Sequence, residues 1–334
     1  MKKLFIIAAA ACVTLASCVK NEPVATTDAL EEISFESPVL APNVKAVNEV
    51  GTQYENGQSF KVWAYSTADE IEDETVLTWG EADYIKDGVI AQSDEIWKGS
   101  PNAYYWPSTG YLHFMAIAPS SVEAAVDKSG ITINNYEVTD GSVDLLYSER
   151  VLNMDANPVP IAFKHALASI DFTVSSSPIT TYLKSIRIEN VDNTGSFAQG
   201  LSATANSTTG AGDLWTEEGE YASNYVAFQA DPEENNGYRA VTSSVDLTVG
   251  DNQTSLILLP QELGENSQIV IEYHQGLPPT NSTQAKEKTF PLEDYVWEDG
   301  VRYTYTITFG ANEITFTPSS TAWSPDTVPV PSIQ

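Results

Sequence analysis

Val301-Arg302-Tyr303-Thr304-Tyr305-Thr306-Ile307-Thr308-Phe309 alternates without a break, with large apolar residues at every odd position and Arg302, Thr304, Thr306 and Thr308 between them. Successive side chains of a strand point to opposite faces, so this pattern predicts a half-buried β-strand. Asp299-Gly300 in front of it supplies cheap turn geometry. Working outward, the same period of two recurs. Ile186 and Ile188 flank Arg187, and Ile269, Ile271 and Tyr273 alternate with Glu272 and His274. Phe60-Lys61-Val62-Trp63-Ala64, Ile131-Thr132-Ile133 and Ile314-Thr315-Phe316 behave similarly. Tyr111 to Ala118 is apolar on both faces and predicts a central strand covered on each side. Asn56-Gly57, Asp87-Gly88, Asp140-Gly141 and Gly237 are the turn signals between these runs. No helical period is sustained. The best helix candidate, Asp69 to Thr78, is acidic enough to suit a loop equally well. The expectation is an all-β protein built of β-sandwiches.

At 334 residues, with 42% hydrophobic and 10% aromatic content, the chain is long enough for two cores. Met154 to Pro160, carrying Pro158 and Pro160, is the expected crossing, which gives units at 46–158 and 159–334. The start of the chain has a different character. Met1-Lys2-Lys3 is basic, Leu4 to Ala11 is apolar, and Leu15-Ala16-Ser17-Cys18 follows. This reads as a secretion signal over residues 1–17, because a spanning helix needs about 20 apolar residues. The tetrad ending at Cys18 resembles the bacterial lipobox, in which the cysteine becomes the lipid-bearing first residue of the mature chain. More than one acyl chain makes such anchoring stable. The only other cysteine, Cys12, falls inside the signal, so the exported part is expected to rely on its hydrophobic core alone.

The formal charge is −30, from 16 basic and 46 acidic residues. Such a field disfavours nucleic acid and anionic lipid headgroups as partners. Residues 19–29 are polar, as suits a tether. Ile33-Ser34-Phe35 then opens a strand-like piece that runs to Val39-Leu40 and is interrupted by Pro42-Asn43-Val44-Lys45.

Patterns that carry chemistry are scarce. His113, His165 and His274 lie far apart, without the close pairing of a zinc site. No Gly-x-Ser-x-Gly elbow occurs. Gly210-Ala211-Gly212 is followed by Asp213-Leu214-Trp215 and reads as a loop. Asp69-Glu70 and Glu72-Asp73-Glu74 lack the spacing of an EF-hand and read as a solvated acidic loop. The seven tryptophans could include stacking platforms for sugar rings, but most sit within alternating strands or aromatic runs, where core packing is the expectation. No catalytic residue, metal or cofactor is nominated, and the chain is expected not to be an enzyme.

Several segments, in order, resemble the fimbrillins, the Mfa-like pilins of the Bacteroidales. They are Gly57-Gln58-Ser59-Phe60-Lys61-Val62, Tyr104-Tyr105-Trp106-Pro107, Leu112-His113-Phe114-Met115-Ala116 with Pro119, and Val159-Pro160-Ile161-Ala162-Phe163-Lys164-His165-Ala166-Leu167. Leu258-Leu259-Pro260-Gln261, Trp297-Glu298-Asp299-Gly300-Val301-Arg302-Tyr303 and Trp323 complete the series. The resemblance implies two tandem transthyretin-like β-sandwich domains after a lipoprotein signal peptide. It also implies a structural or adhesive pilus subunit, carried to the outer membrane by its lipid and assembled into a cell-surface fimbrium. In that family a trypsin-like protease removes the first strand, and a strand of the next subunit fills the vacated groove by β-augmentation.

Carried onto this sequence, residues 18–45 form the lipidated tether and removable strand, with Ile33, Phe35, Val39 and Leu40 in that strand and Lys45 as the cleavage position. Related pilins more often carry arginine there. Lysine suits a lysine-specific protease, or marks a subunit whose residues 30–45 stay as a permanent first strand. Val328 and Val330 are the expected donor-strand residues. Pro329 and Pro331 remove two amide donors on one side of that strand, which leaves stalk, tip and accessory positions open. Asp326-Thr327-Val328 also resembles the short O-glycosylation acceptor of Bacteroidetes. The implied partners are other pilus subunits, in a homo- or heteropolymer, and a receptor on a host or bacterial surface. The alternative, a glycan-binding surface lipoprotein of a polysaccharide-uptake system, predicts tryptophans exposed together on one face.

Overall fold

The computed structural model describes residues 30–40, 59–72, 83–127, 130–200, 214–217, 222–247 and 255–323, so Cys18, Lys45, Val328 and Val330 lie outside it. Among the described residues the regular secondary structure is entirely β. In chain order the strands are β1 (Ser34–Phe35), β2 (Val39–Leu40), β3 (Ser59–Thr67), β4 (Ile85–Ser93), β5 (Ile96–Gly99), β6 (Tyr111–Ala118), β7 (Ala125–Asp127) and β8 (Gly130–Glu137). There follow β9 (Leu146–Ser148), β10 (Val151–Met154), β11 (Ala162–His165), β12 (Ala168–Ser176), β13 (Thr181–Val191), β14 (Thr194–Gly200), β15 (Trp215–Glu217), β16 (Ser223–Gln229) and β17 (Arg239–Val241). The last are β18 (Val245–Asp246), β19 (Leu256–Leu258), β20 (Gln261–Glu262), β21 (Gln268–Gln275), β22 (Lys286–Pro291), β23 (Val296–Trp297), β24 (Val301–Phe309) and β25 (Ile314–Ala322).

The first sheet runs β1-β5-β4-β3-β6-β9-β11-β2, with β10 also on β6. A second, β15-β14-β8-β7, joins strands from distant parts of the chain. Two further sheets, β18-β12-β24-β25 and β16-β13-β21-β22, carry β19 and β17 beside β12 and β13 respectively, and β20 pairs with β23. β24 lies parallel to β12 and antiparallel to β25. Its Tyr305, Ile307 and Phe309 are buried as the alternation requires. Tyr303 is only half-buried, and its hydroxyl accepts the Glu298 N–H at 2.9 Å. The Trp297 indole N–H donates to the buried Tyr305 hydroxyl at 2.9 Å.

β6 is buried on both faces, as its unbroken apolar run predicts. β3 corrects the expectation of a half-buried strand. Phe60, Val62 and Ala64 face one core with Phe114 and Phe163. Trp63 and Tyr65 face a second core shared with Ile186, Ile271 and Ile307 of the later sheets. Lys61 is enclosed with them and runs its ammonium out to Asp87 (3.2 Å), Glu123 (3.5 Å) and the Val122 carbonyl (3.1 Å). Its apolar stem is buried while the charge stays paired.

Asp87-Gly88 is a second correction: both residues lie within β4. The positive φ of 56° belongs to Asp87. Gly88 is required for close approach, since a Cβ there would stand 2.5 Å from Ile85 Cγ2 and 2.9 Å from the Tyr104 hydroxyl. Gly141, Gly237 and Gly300 do take positive φ, as the turn signals predict. Asp69, Glu70 and Glu72 are exposed and Ile71 is half-buried, in bends and coil without a helical turn, while the rest of that candidate, to Thr78, lies outside the described residues.

Candidate functional site

The segment Leu30–Leu40 closes the first sheet by lying between two of its edges. Along one side Ile33 N–H donates to the Tyr104 carbonyl (2.8 Å), Trp106 N–H donates to the Glu31 carbonyl (2.9 Å), and β1 continues antiparallel to β5. Along the other side Val159 N–H donates to the Ser34 carbonyl (2.8 Å), Glu36 N–H donates to the Val159 carbonyl (2.9 Å), and β2 runs parallel to β11. A short strand with both edges satisfied is a sheet interior, although it comes from the start of the described chain.

The alternation of Ile33-Ser34-Phe35 makes this position possible. Ile33 and Phe35 turn inward and are buried. The Phe35 ring meets Phe60 and Phe114 edge-on, with centroids 5.8 and 5.7 Å away. Aromatic edge-to-face pairs add to the area they bury. Lys98 on β5 stands 3.7 Å from the Glu32 carboxylate. Val39 and Leu40 are in register with Ala162 and Phe163. Ile33 and Phe35 thus enter the first core, and the backbone of Val39 and Leu40 lies beside β11 in the same sheet.

A polar bracket completes the slot. The Asn157 side-chain carbonyl accepts from Ser34 N–H (2.8 Å) and from the Trp106 indole (2.9 Å), and its amide donates to the Glu32 carbonyl (2.7 Å) and the Glu31 carboxylate (2.9 Å). Asn157 carries no motif that marks it for this role. Its only local signal is an Asn-Pro pair, which marks a turn.

The three histidines are dispersed, and half-buried His274 has its Nε2 3.1 Å from the Leu277 carbonyl. His113 is fully buried, its Nδ1 accepting from Asn153 N–H (3.0 Å) and its Nε2 facing the Thr67 hydroxyl (2.8 Å). Burial holds its pKa below the ordinary value, against a smaller opposing pull from Asp83. His165 Nδ1 lies 2.6 Å from Asp144 Oδ2, and its ring stacks on Trp323 at 3.7 Å. No His, Cys, Asp or Glu group among the described residues is arranged to hold a metal. Trp63, Trp97, Trp106, Trp297 and Trp323 are buried, Trp215 is half-buried with its indole bonded to the Ala166 carbonyl (2.6 Å), and Trp79 lies outside the described residues. The described tryptophans therefore form no exposed platform. An open depression of ≈ 520 Å³ is lined instead by amides and hydroxyls such as Asn236, Thr280 and Gln284, with Lys184 beside them.

A family profile described as fimbrillin-like matches residues 45–323. Among solved structures, a fimbrial protein from Bacteroides vulgatus is 13% identical with a TM-score of 0.58, the match covering 88% of this chain and 99% of that one. A protein described as a cell adhesion protein from Bacteroides ovatus is 16% identical with a TM-score of 0.53, covering 89% and 99%. At such identities these two matches establish likeness of fold. No curated protein matches the chain.

Proposed function

The chain belongs to the fimbrillin-like family, and on that premise we propose that it is a structural or adhesive pilus subunit assembled by removal of residues up to Lys45 and insertion of a neighbour's strand. The observation that carries the proposal is the two-edged slot around Ile33 and Phe35. Removing this segment would strip backbone partners from both sides and uncover the aromatic core, and an incoming strand would restore both. In the same reading the chain is divided near residue 159, Cys18 anchors the precursor to the outer membrane, Val328 and Val330 belong to the donor strand, and the mature protein stands in a cell-surface fimbrium without a catalytic role.

N-terminal sequencing of protein recovered from intact cells tests this. A start at Ala46 is the expected result for a processed pilin, and a start at Cys18 alone would overturn processing. Purified protein cut by a lysine-specific protease should lose residues 30–45 and form polymers. If it keeps them and stays monomeric, strand exchange is wrong for this chain. The rival reading, a glycan-binding lipoprotein, has the amide-lined depression near Asn236 in its favour; saturable calorimetric binding of a polysaccharide, abolished by Asn236→Ala, would support it.

A further inference from the structure

Val159 and Phe35 form a parallel bridge, in which Val159 N–H donates to the Ser34 carbonyl and the Val159 carbonyl accepts from Glu36 N–H. Continued two residues back, such a ladder would have the Asn157 backbone N–H donate to the Glu32 carbonyl and its carbonyl accept from Ser34 N–H. Those two bonds exist, but the Asn157 side chain makes them, at 2.7 and 2.8 Å. A primary carboxamide presents the same C=O and N–H pair as a peptide unit, so it can stand in for one. Its remaining bonds, to the Trp106 indole and the Glu31 carboxylate, fix the amide plane.

We propose that Asn157 is a main-chain-reading subsite of the slot. It sets the register of whichever strand lies there, this chain's own Glu31–Glu36 or a strand from a second subunit, without selecting that strand's apolar side chains. Two of its four bonds go to backbone atoms, which every strand offers at the same spacing. The pockets around Ile33 and Phe35 then decide sequence, and Asn157 decides alignment. A slip of one residue would reverse the inward and outward faces of the inserted strand, so a fixed alignment point matters in a slot lined by aromatic rings. The extension to a second subunit rests on the strand-exchange reading above.

Amide hydrogen exchange on the uncut full chain tests the clamp on its own strand. Asn157→Ala should speed exchange at Ser34 by about tenfold or more, as expected for loss of about 1.4 kcal/mol of local protection. Asn157→Asp keeps an acceptor for Ser34 N–H but sets a carboxylate against the Glu31 carboxylate and the Glu32 carbonyl, so it should also speed exchange at Ser34. Unchanged exchange at Ser34 in both variants would overturn the clamp. A second arm uses chain nicked after Lys45 and challenged with synthetic peptides of residues 30–40. One peptide carries Val at positions 33 and 35, and another is N-methylated at the position of Ser34. Asn157→Ala should weaken the native and Val peptides by the same factor. N-methylation should weaken binding to the wild-type chain and have no further effect on the variant, because the bond from Ser34 N–H to the Asn157 side chain is already among those the variant lacks. Unequal losses for the native and Val peptides, or N-methylation costing as much in the variant, would overturn main-chain reading. If the nicked wild-type chain takes up no peptide at all, strand exchange falls, while the exchange result at Ser34 still judges the clamp.

Discussion

Residues 30–40 are bonded along both edges and bury Ile33 and Phe35, whereas β25 is paired among the described residues with β24 alone and turns Thr315, Thr317, Pro318, Ser319, Ser320 and Thr321 to solvent. β25 is the longer strand by far, yet it is the less enclosed. The bonds from Gly310 N–H to the Glu313 carbonyl and from Trp323 N–H to the Gly300 carbonyl fix the alternation of its ladder. Pro318, opposite Tyr305, therefore falls among the residues whose backbone faces away from β24. A proline there costs the existing ladder nothing and removes a donor from the open edge. One terminal strand is a plug that fills a slot; the other is an edge that discourages further pairing. Strand length does not decide between the two roles. Occupancy of both edges does.

The largest break in this contrast should come from Phe35→Ala. A buried ring between Phe60 and Phe114 leaves a cavity, and the expected loss is about 3–5 kcal/mol in urea unfolding, with earlier proteolysis of residues 30–40. Phe316→Ala on β25 should cost about 1–2 kcal/mol. That ring is half-buried and packs on Phe290 and Tyr305 at 4.9 and 5.3 Å, so its loss opens a surface dent. An equal or reversed order of the two losses would erase the distinction.

Acid should act in turn on the strands behind these two, at β6 and then at β13 and β21. Folded His113 has its pKa held below 6.5 by burial, so below 6.5 the unfolded chain binds the proton more readily. Its contribution is present above that pH and is lost as pH falls through the range below it. Glu189 and Glu272 respond lower. Burial pulls their pKa values up, but bonds from Arg187 and Gln268 to the first, and from Lys184 and Ser185 to the second, bring them below 4.5. Their contribution is lost only as pH falls through that range. Urea midpoints should thus decline between pH 7 and 5.5 in the wild type, and the decline should be smaller in His113→Gln.

The smallest effect on stability belongs to Pro318→Thr, within about 0.5 kcal/mol. Its readout is association: restoring an amide donor to the open edge should produce dimers or larger species on size exclusion at raised concentration. A strictly monomeric variant would remove the guarding role of Pro318.

Much of this fold was legible locally. The alternation of Val301 to Phe309, the unbroken run of β6 and the strand-like character of Ile33-Ser34-Phe35 all read correctly, because face exposure has a period that neighbouring residues record. β3 misled because Lys61 looks like a solvent-facing residue, and only the packing of a second core over that face explains its burial. The candidate site divides in the same way. Its apolar residues were visible; its two edges and Asn157 were not.

Local sequence was enough for the all-β class and for a strand-like piece at Ile33-Ser34-Phe35, since strand period, turn residues and apolar content are local properties. Tertiary structure alone decided that the strand is held on both sides, that a side-chain amide replaces a backbone rung, and that β7 and β8 pair in one sheet with β14 and β15. Hydrogen-bond partners across a sheet depend on non-local register, and a residue's neighbours along the chain do not encode which distant carbonyl its amide will meet.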